Sequence, residues 1–461
     1  MEFSLAEHMT FKKLIRCALP CIAMMVSISV YSVVDGFFVS NFAGKTAFAA
    51  VNLIWPVAMV LATLGFVMGS GGAALVAKKF GEGKDEEGNR CFSNSVMFST
   101  LLGIVTSVIV FFFLPEISRL LGADEEMVPH CVSYGQILIL GVTSFNLQNL
   151  FQSFFTAAEK PRLGFIITLL AGVANIVLDA ILVPLLGVVG AAIGTVAGQL
   201  VGAFIPIVYF ARENPSRLRL RFYAFRWKDI AKMAGNGSSE FATNVSASVV
   251  SMLLNAALMR YYGQNGVGAY GTICYVWMIF GACFIGYNIA VGPRISYALG
   301  AGNKEELRSL YLNSLMVITG FGLLQFALGE ALAVPISYAF CGYDEGLRQL
   351  TAHASFIYST TYLVIGFSMF GSCFFTSLNN GLVSFLLSVV RLGGIQVACV
   401  LLLPLAFGGE AIWWSVPLGD FLGMIMNLVV MGCFAKHYGY NKQKTSEIKG
   451  DIEEKDGNPV L

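Results

Sequence analysis

The sequence predicts an all-α membrane protein of twelve transmembrane helices, arranged as two six-helix bundles related by a pseudo-two-fold axis along the membrane normal. Three observations predict it. The chain is too apolar for a water-soluble fold, it carries a dozen apolar runs of membrane-crossing length, and its second half repeats its first.

Composition decides the solvent. Apolar residues make up 56% of the 461, charged residues only 12%, and mean hydropathy is +0.71. Soluble domains carry about a quarter charged residues. A soluble fold could not hide so much apolar surface, so lipid must cover part of it. The net charge of +1 gives no basic field for nucleic acid. The four His are scattered, and no cluster with metal-ligand spacing appears. Most of the ten Cys, such as Cys21, Cys283 and Cys399, sit inside apolar runs, where a thiol packs as a small hydrophobe. No CxxC pair suggests a disulfide or zinc site. The first apolar run, after Arg16, is longer than a signal-peptide core and lacks a cleavage site, so it is expected to stay as the first span.

A helix needs about 20 residues to cross the hydrocarbon. Runs of that kind recur near 14–40, 47–77, 92–114, 131–157, 163–186, 189–211, 236–261, 267–298, 311–335, 349–377, 383–405 and 411–435. The breaks between them are rich in Gly, Pro and charge, as in GEGKDEEGNR (81–90) and GAGNKEE (300–306). With the N-terminus inside the cell, all but four of the 29 Lys and Arg fall on the cytoplasmic side; the four are Lys45, Arg119, Arg260 and Arg348. That asymmetry predicts a cytoplasmic (inner) membrane protein with both termini cytoplasmic.

The repeat is weak but consistent. FGEGKDEEGNRCFSNSVM (80–97) aligns with LGAGNKEELRSLYLNSLM (299–316), FFTAAEK (154–160) with FFTSLNN (374–380), and LVPL (182–185) with LLPL (402–405). Six spans per half is an even number, so both halves enter the membrane in the same orientation. Such a parallel repeat places a transport pathway between the halves. The expected domains are an N-lobe (1–211), a basic cytoplasmic linker (212–232), a C-lobe (233–436) and a polar, disordered cytoplasmic tail (437–461).

An ionisable residue inside a span costs about 2.5–3.5 kcal/mol on insertion scales. Asp35 lies 19 residues beyond Arg16 and Asp179 lies 17 residues beyond Arg162. At the helical rise, both carboxylates sit roughly 26–28 Å along helices that leave the same face, so they share a depth and could meet. Ser27, Tyr31 and Asp35 form one helix stripe, Asn175 and Asp179 another, Thr195 and Gln199 a third. Asn149, Gln152 and Ser153 add polarity from the fourth span. Two carboxylates sharing a low-dielectric site cannot both ionise easily, so the pair holds a proton or recruits a cation. The plainer alternative is that each Asp bonds a neighbouring helix.

The second half has Leu254 and Cys399 where the repeat would place these aspartates. It has instead Glu240, with Asn244 and Ser248 in one stripe, which would face substrate or sit at the interface. Asp420 is expected to bond another helix; Arg294 and Arg391 are expected to snorkel from cytoplasmic ends. Pro20 frees a carbonyl in the helix that carries Asp35 and permits a bend there. Gly194, Gly198 and Gly202 form a small-residue packing face.

CALP (17–20), VYSVVDGFFVS (30–40), ANIVLDAILV (174–183) and the FGEG/LGAG junctions resemble the multidrug and toxic compound extrusion (MATE) family, in particular its MepA-like bacterial branch, over about residues 10–436. The resemblance implies cation-coupled export of organic, often cationic and aromatic compounds by alternating access. It implies coupling residues Asp35, Asn175, Asp179 and Thr195 with Pro20 as hinge, and a C-lobe acid at Glu240, although the context GSSEFATN departs from the family pattern. Substrate-cleft candidates are Tyr31, Asn149, Gln152, Glu240 and Asn244. The coupling ion is H⁺ or Na⁺, the latter held by Asp35, Asn175, Asp179 and Thr195; no other cofactor or firm metal site is expected. The partners are then small organic molecules and the bilayer, and the protein a monomer.

Two other readings stand beside the antiporter. A flippase for lipid-linked precursors would favour Arg and Lys in mid-span, whereas the basic residues cluster at the cytoplasmic face. A membrane-embedded enzyme would need a nucleophile–base or metal constellation at one depth, and no intramembrane His lies near a Ser or Cys in sequence or obvious register. A channel is also compatible with the spans, but a two-lobed repeat in one chain favours a carrier.

Overall fold

The structure, a computed structural model, describes residues 4–42, 45–342 and 344–440. Among the described residues fourteen α-helices carry it. The first half holds α1 (Phe11–Phe42), α2 (Lys45–Gly81), α3 (Asp85–Leu120), α4 (Val128–Leu140), α5 (Val142–Ala157), α6 (Pro161–Leu186) and α7 (Val188–Ala211). The second half holds α8 (Trp227–Gly300), α9 (Lys304–Cys341), α10 (Glu345–Ser359), α11 (Tyr362–Ser377), α12 (Gly381–Ser388), α13 (Val397–Phe407) and α14 (Ser415–Tyr438). A π-helical segment, Val389–Gln396, joins α12 to α13.

The expected twelve crossings are present, though not all are simple rods: besides the π-wound span, two are bent and two are joined without a loop. Helix α8 is broken at Gly263 (φ 62°, ψ −149°), a conformation essentially closed to residues with a Cβ, and so crosses twice. Helices α4 and α5 meet at 49°, and α10 and α11 at 51°, each pair forming one bent span. Large apolar side chains stand outward along the spans, with Phe112, Leu185 and Leu405 more than two-thirds exposed, as a lipid-facing surface requires. The basic linker's last residues already belong to α8. At the other end Tyr440, beyond α14, is buried with its hydroxyl donating to the Met431 carbonyl (2.6 Å). Residues 441–461, most of the expected polar tail, lie outside the described residues.

The repeat extends to backbone detail. Gly83 and Gly302 both have positive φ (74° and 67°), as do Glu159 and Asn379 (61° and 56°). Pro115 and Pro335 interrupt α3 and α9 at matching places, and Pro184 and Pro404 do so in α6 and α13. The halves touch along the axis through glycines. A Cβ on Gly81 would come within 2.3 Å of the Tyr297 carbonyl oxygen, and one on Gly300 within 2.1 Å of the Lys78 carbonyl oxygen. These are the same contact made twice, 219 residues apart.

The cores show where the halves join. At the end that carries the termini they are shared: Met9, Leu14 and Cys21 of the first half pack with Tyr287, Ile295 and Phe374 of the second. Ile230 and Met233 of α8 pack in turn with Phe80, Phe92 and Phe154. At the far end each half keeps its own core, around Ile54, Leu114 and Val188 in one and around Leu258, Leu347 and Ile412 in the other. Met24 and Met25 also pack with Ala282, and Ser29 Oγ donates to the Met278 carbonyl (2.7 Å), so the halves are knit together from one end to about mid-depth and separate at the other.

Two cavities flanking α8

Two cavities lie on either side of the second leg of α8, and Ile285 of that leg lines both.

The first, of about 430 Å³, belongs mainly to the first half. It is lined by Tyr31 and Asp35 of α1, Asn149 and Gln152 of α5, Asn175 of α6 and Thr195 of α7. The structure thus brings together most first-half candidates; Pro20 lies nearer the start of α1, Ser27 is not in the lining, and Ser153 opens into the second cavity. Asp179 sits behind the wall, fully buried, with its carboxyl against that of Asp35. The shared depth expected from helical rise is met by actual contact.

Glycines on α7 make room for this polar layer. A Cβ on Gly194 would lie 2.1 Å from Asp179 Oδ1, one on Gly198 3.2 Å from the Asn175 Cβ, and one on Gly202 2.7 Å from the Gln148 Cγ. The packing stripe expected from sequence is therefore also what seats Asp179. Gly172 of α6 similarly accommodates the Tyr31 ring, whose side chain meets Gln148. Ser27 turns away and donates to the Ala23 carbonyl of its own helix (2.8 Å).

The chemistry of the cluster is one-sided. Asp35 Oδ1, both carboxylate oxygens of Asp179, Asn175 Oδ1 and Gln199 Oε1 are buried and find no donor among the described residues. All are acceptors. Buried acceptors without donors are costly. A shared proton, or a cation bound by oxygen ligands, would satisfy several at once. Sequence reasoning missed Gln148, Gly194's place over Asp179, and the aromatic lining supplied by Trp55 and Phe145, whose ring centroids are 6.1 Å apart.

The second cavity, of about 400 Å³, belongs mainly to the second half. Glu240 and Asn244 open into it, not into the first. Asn244 Nδ2 donates to the Glu240 carbonyl (2.8 Å) and Ser248 Oγ to the Asn244 carbonyl (2.9 Å), so the stripe expected in α8 is held by bonds one turn apart.

Two sequence expectations fail here. Arg391 does not snorkel. It is buried in the π-helical segment, ten residues into its span, with Nη1 3.2 Å from Asp420 Oδ1, and both side chains line the cavity. Asp420 does bond across helices, as expected, but also faces the cavity. Arg294 is buried too, with Nη1 donating to the Ser4 carbonyl (2.8 Å) and Nη2 facing Cys17 Sγ (3.1 Å). The cause is the same: charge position along the chain gives depth poorly once a helix is π-wound or the N-terminal segment folds back over a helix end. A basic residue therefore does stand in mid-span, although it is already paired with an acid.

The profile of the MatE family matches the chain twice, over residues 20–181 and 241–402, one match per half. The multidrug export protein MepA of Staphylococcus haemolyticus is 22% identical over 458 residues, 97% of this chain and 99% of that protein. Among solved structures, the outward-facing conformation of a multidrug resistance MATE family transporter of the MOP superfamily superposes with a TM-score of 0.89 at 21% identity, over 95% of this chain and 98% of that one. A MOP superfamily transporter from Pyrococcus furiosus, described as having a binding pocket of reverse polarity, superposes with a TM-score of 0.88 at 21% identity, over 94% and 98%.

Proposed function

Since the chain belongs to the MatE family of membrane transporters, we propose that it is a multidrug efflux antiporter, exporting organic, mostly cationic and aromatic compounds in exchange for H⁺ or Na⁺. The single observation that carries this reading is the cluster of Asp35, Asp179, Asn175 and Gln199 at the wall of an aromatic-lined cavity, with the two carboxyl groups against each other and more buried acceptor oxygens than donors to serve them. A proton or Na⁺ arriving there neutralises the pair; its departure restores two facing carboxylates that repel. Each half-cycle thus changes the electrostatics between α1 and α6, and α1 is the helix that Pro20 allows to bend. For Na⁺, the oxygens of Asp35, Asn175, Asp179 and Thr195 are of the hard type the ion prefers.

In this reading the first half (1–211) and the second (233–436) are the moving lobes, the basic segment 212–232 links them on the cytoplasmic side, and 437–461 is a cytoplasmic tail. The protein works as a monomer in the cytoplasmic (inner) membrane, with both termini inside. The halves share cores from the end that carries the described chain ends to about mid-depth, where Met24 and Met25 pack with Ala282, and not at the far end, so this conformation faces outward. Tyr31, Asn149 and Gln152 contact substrate from the first cavity, and Glu240 and Asn244 from the second. A phosphate-bearing flippase substrate is disfavoured, because among the described residues lining the two cavities Arg391 is the one Lys or Arg, against the several a doubly charged phosphate would need.

Efflux of a cationic dye from cells expressing Asp35→Asn or Asp179→Asn tests the assignment. Both variants are expected to reach the membrane at wild-type level and export no dye. Wild-type efflux by either would overturn it.

A further inference from the structure

The second cavity contains charges of both signs, which the export of simple cations does not require. Arg391 is its only cationic side chain among the described residues lining it. One guanidinium nitrogen, Nη1, reaches Asp420 Oδ1 at 3.2 Å. The guanidinium keeps further N–H donors for a ligand. The acceptors are as telling. Asp420 is 1% exposed and its Oδ2 finds no partner among the described residues; Gln396 is 3% exposed and its Oε1 is likewise without one. Glu240 contributes a third acceptor from α8. Apolar walls come from Tyr270, Trp277 and Tyr358.

The packing shows that this arrangement is built. Gly423 of α14 lies where a Cβ would come within 2.8 Å of the Arg391 stem, and Gly419 faces Gln396 in the same way at 3.3 Å. In the first half Gly198 faces Asn175 comparably, but there the charged partner on α6 is Asp179 and no arginine takes part. The π-helical winding at Val389–Gln396 is what presents both Arg391 and Gln396 to α14.

We propose that the second cavity is a binding site for zwitterionic aromatic compounds, with Arg391 receiving the carboxylate and Glu240, Asp420 Oδ2 and Gln396 Oε1 receiving the ammonium. A carboxylate matches the guanidinium fork, an ammonium satisfies oxygens that otherwise have no donor, and a ring fits the aromatic wall. The volume of about 400 Å³ lies in the range of drug-sized sites. The site is distinct from the Asp35–Asp179 cluster, and its occupancy does not depend on how transport is coupled.

The experiment is a fluorescence titration of the purified full-length protein at about pH 6, where both α-amines are protonated, with two probes: Nε-dansyl-lysine, which carries a carboxylate and an ammonium, and its methyl ester, which carries only the ammonium. Wild type is expected to bind the zwitterion more tightly than the ester. Arg391→Gln is expected to weaken the zwitterion by about tenfold or more while changing the ester little. Because removing Arg391 leaves Asp420 unpaired in the interior, the double variant R391Q/D420N is measured alongside, and the same selective loss is expected. Glu240→Gln should weaken both probes. Equal loss of zwitterion and ester in both Arg391 variants, or no preference for the zwitterion in wild type, would overturn the proposal. Displacement of the probe by short-chain phosphatidylethanolamine would assign the site to a lipid headgroup and overturn it as well.

Discussion

Gly194 of α7 lies directly over Asp179 of α6: a Cβ at 194 would come within 2.1 Å of Asp179 Oδ1. A backbone without a side chain is what lets a carboxylate sit fully buried against that of Asp35. Gly194→Ala is therefore expected to displace the carboxyl rather than add a harmless methyl. Overpacking of this kind costs about 1–3 kcal/mol. Thermal unfolding in detergent should fall accordingly, and dye efflux should fall far more than expression does. An alanine variant with undiminished efflux would mean that Asp179 need not occupy this position.

The two axial glycines make a prediction about symmetry. Gly81→Ala and Gly300→Ala place a methyl against a backbone carbonyl in the other half, at 2.3 and 2.1 Å. Each should cost about 1–3 kcal/mol, and the two costs should agree. Gly83→Ala has open space around it but a φ of 74°, so it should cost about 1–2 kcal/mol through backbone strain alone. Melting temperatures of the three variants check this; tolerance of one axial alanine and not the other would contradict the pseudo-two-fold contact.

The segment from Ser4 to Met9 crosses from one half to the other. Glu159 accepts from Ser4 Oγ (2.9 Å), and Glu306 accepts from the Met9 backbone N–H (3.0 Å) and contacts His8. Asn313 Nδ2 holds the Met9 carbonyl at 3.1 Å. Truncating both carboxylates, Glu159→Ala with Glu306→Ala, should free the segment. Protease cleavage within residues 4–10 is expected to accelerate by about tenfold, as the loss of about 1.4 kcal/mol of local stability would give. Unchanged protection would show that burial of Leu5 and Met9 alone secures it.

At the far end, His353 bonded to Glu410 holds that carboxyl below its ordinary value, against a desolvation that raises it; Tyr262, at 2.9 Å, helps. The sign is that of a depressed carboxylate. Its contribution to stability is present above pH about 4.5 and is lost as pH falls below it. Both partners are more than half exposed, so the effect is well under about 1 kcal/mol. Glu410→Gln should melt slightly below wild type at pH 7, and the gap should narrow and close as pH falls below the ordinary carboxylate range. A gap that widens on acidification would reverse the sign.

The layout was legible in the sequence because its signals are local. Apolar runs give the spans, and FGEG/LGAG and LVPL/LLPL give the repeat. Counting from Arg16 and Arg162 placed Asp35 and Asp179 at one depth because α1 and α6 are regular helices that start together. The same arithmetic failed for Arg391, whose π-helical segment changes which face it presents, and for Arg294, which the N-terminal segment covers. Nor could sequence tell that Glu240 and Asn244 open into a different cavity from Tyr31, Asn149 and Gln152. That depends on how the second leg of α8 divides the interior, a matter of packing between elements far apart in the chain. The contact of Gln148 with Tyr31 was hidden for the same reason.

The central claim is that a proton or sodium ion exchanged at Asp35 and Asp179 drives export. It is tested most directly in dye-loaded proteoliposomes given a pH gradient and a sodium gradient separately. Wild-type protein is expected to move dye in response to at least one gradient. Asp35→Asn and Asp179→Asn, reconstituted to the same level, are expected to respond to neither. A wild-type protein indifferent to both gradients, or either variant responding as wild type does, would contradict the account.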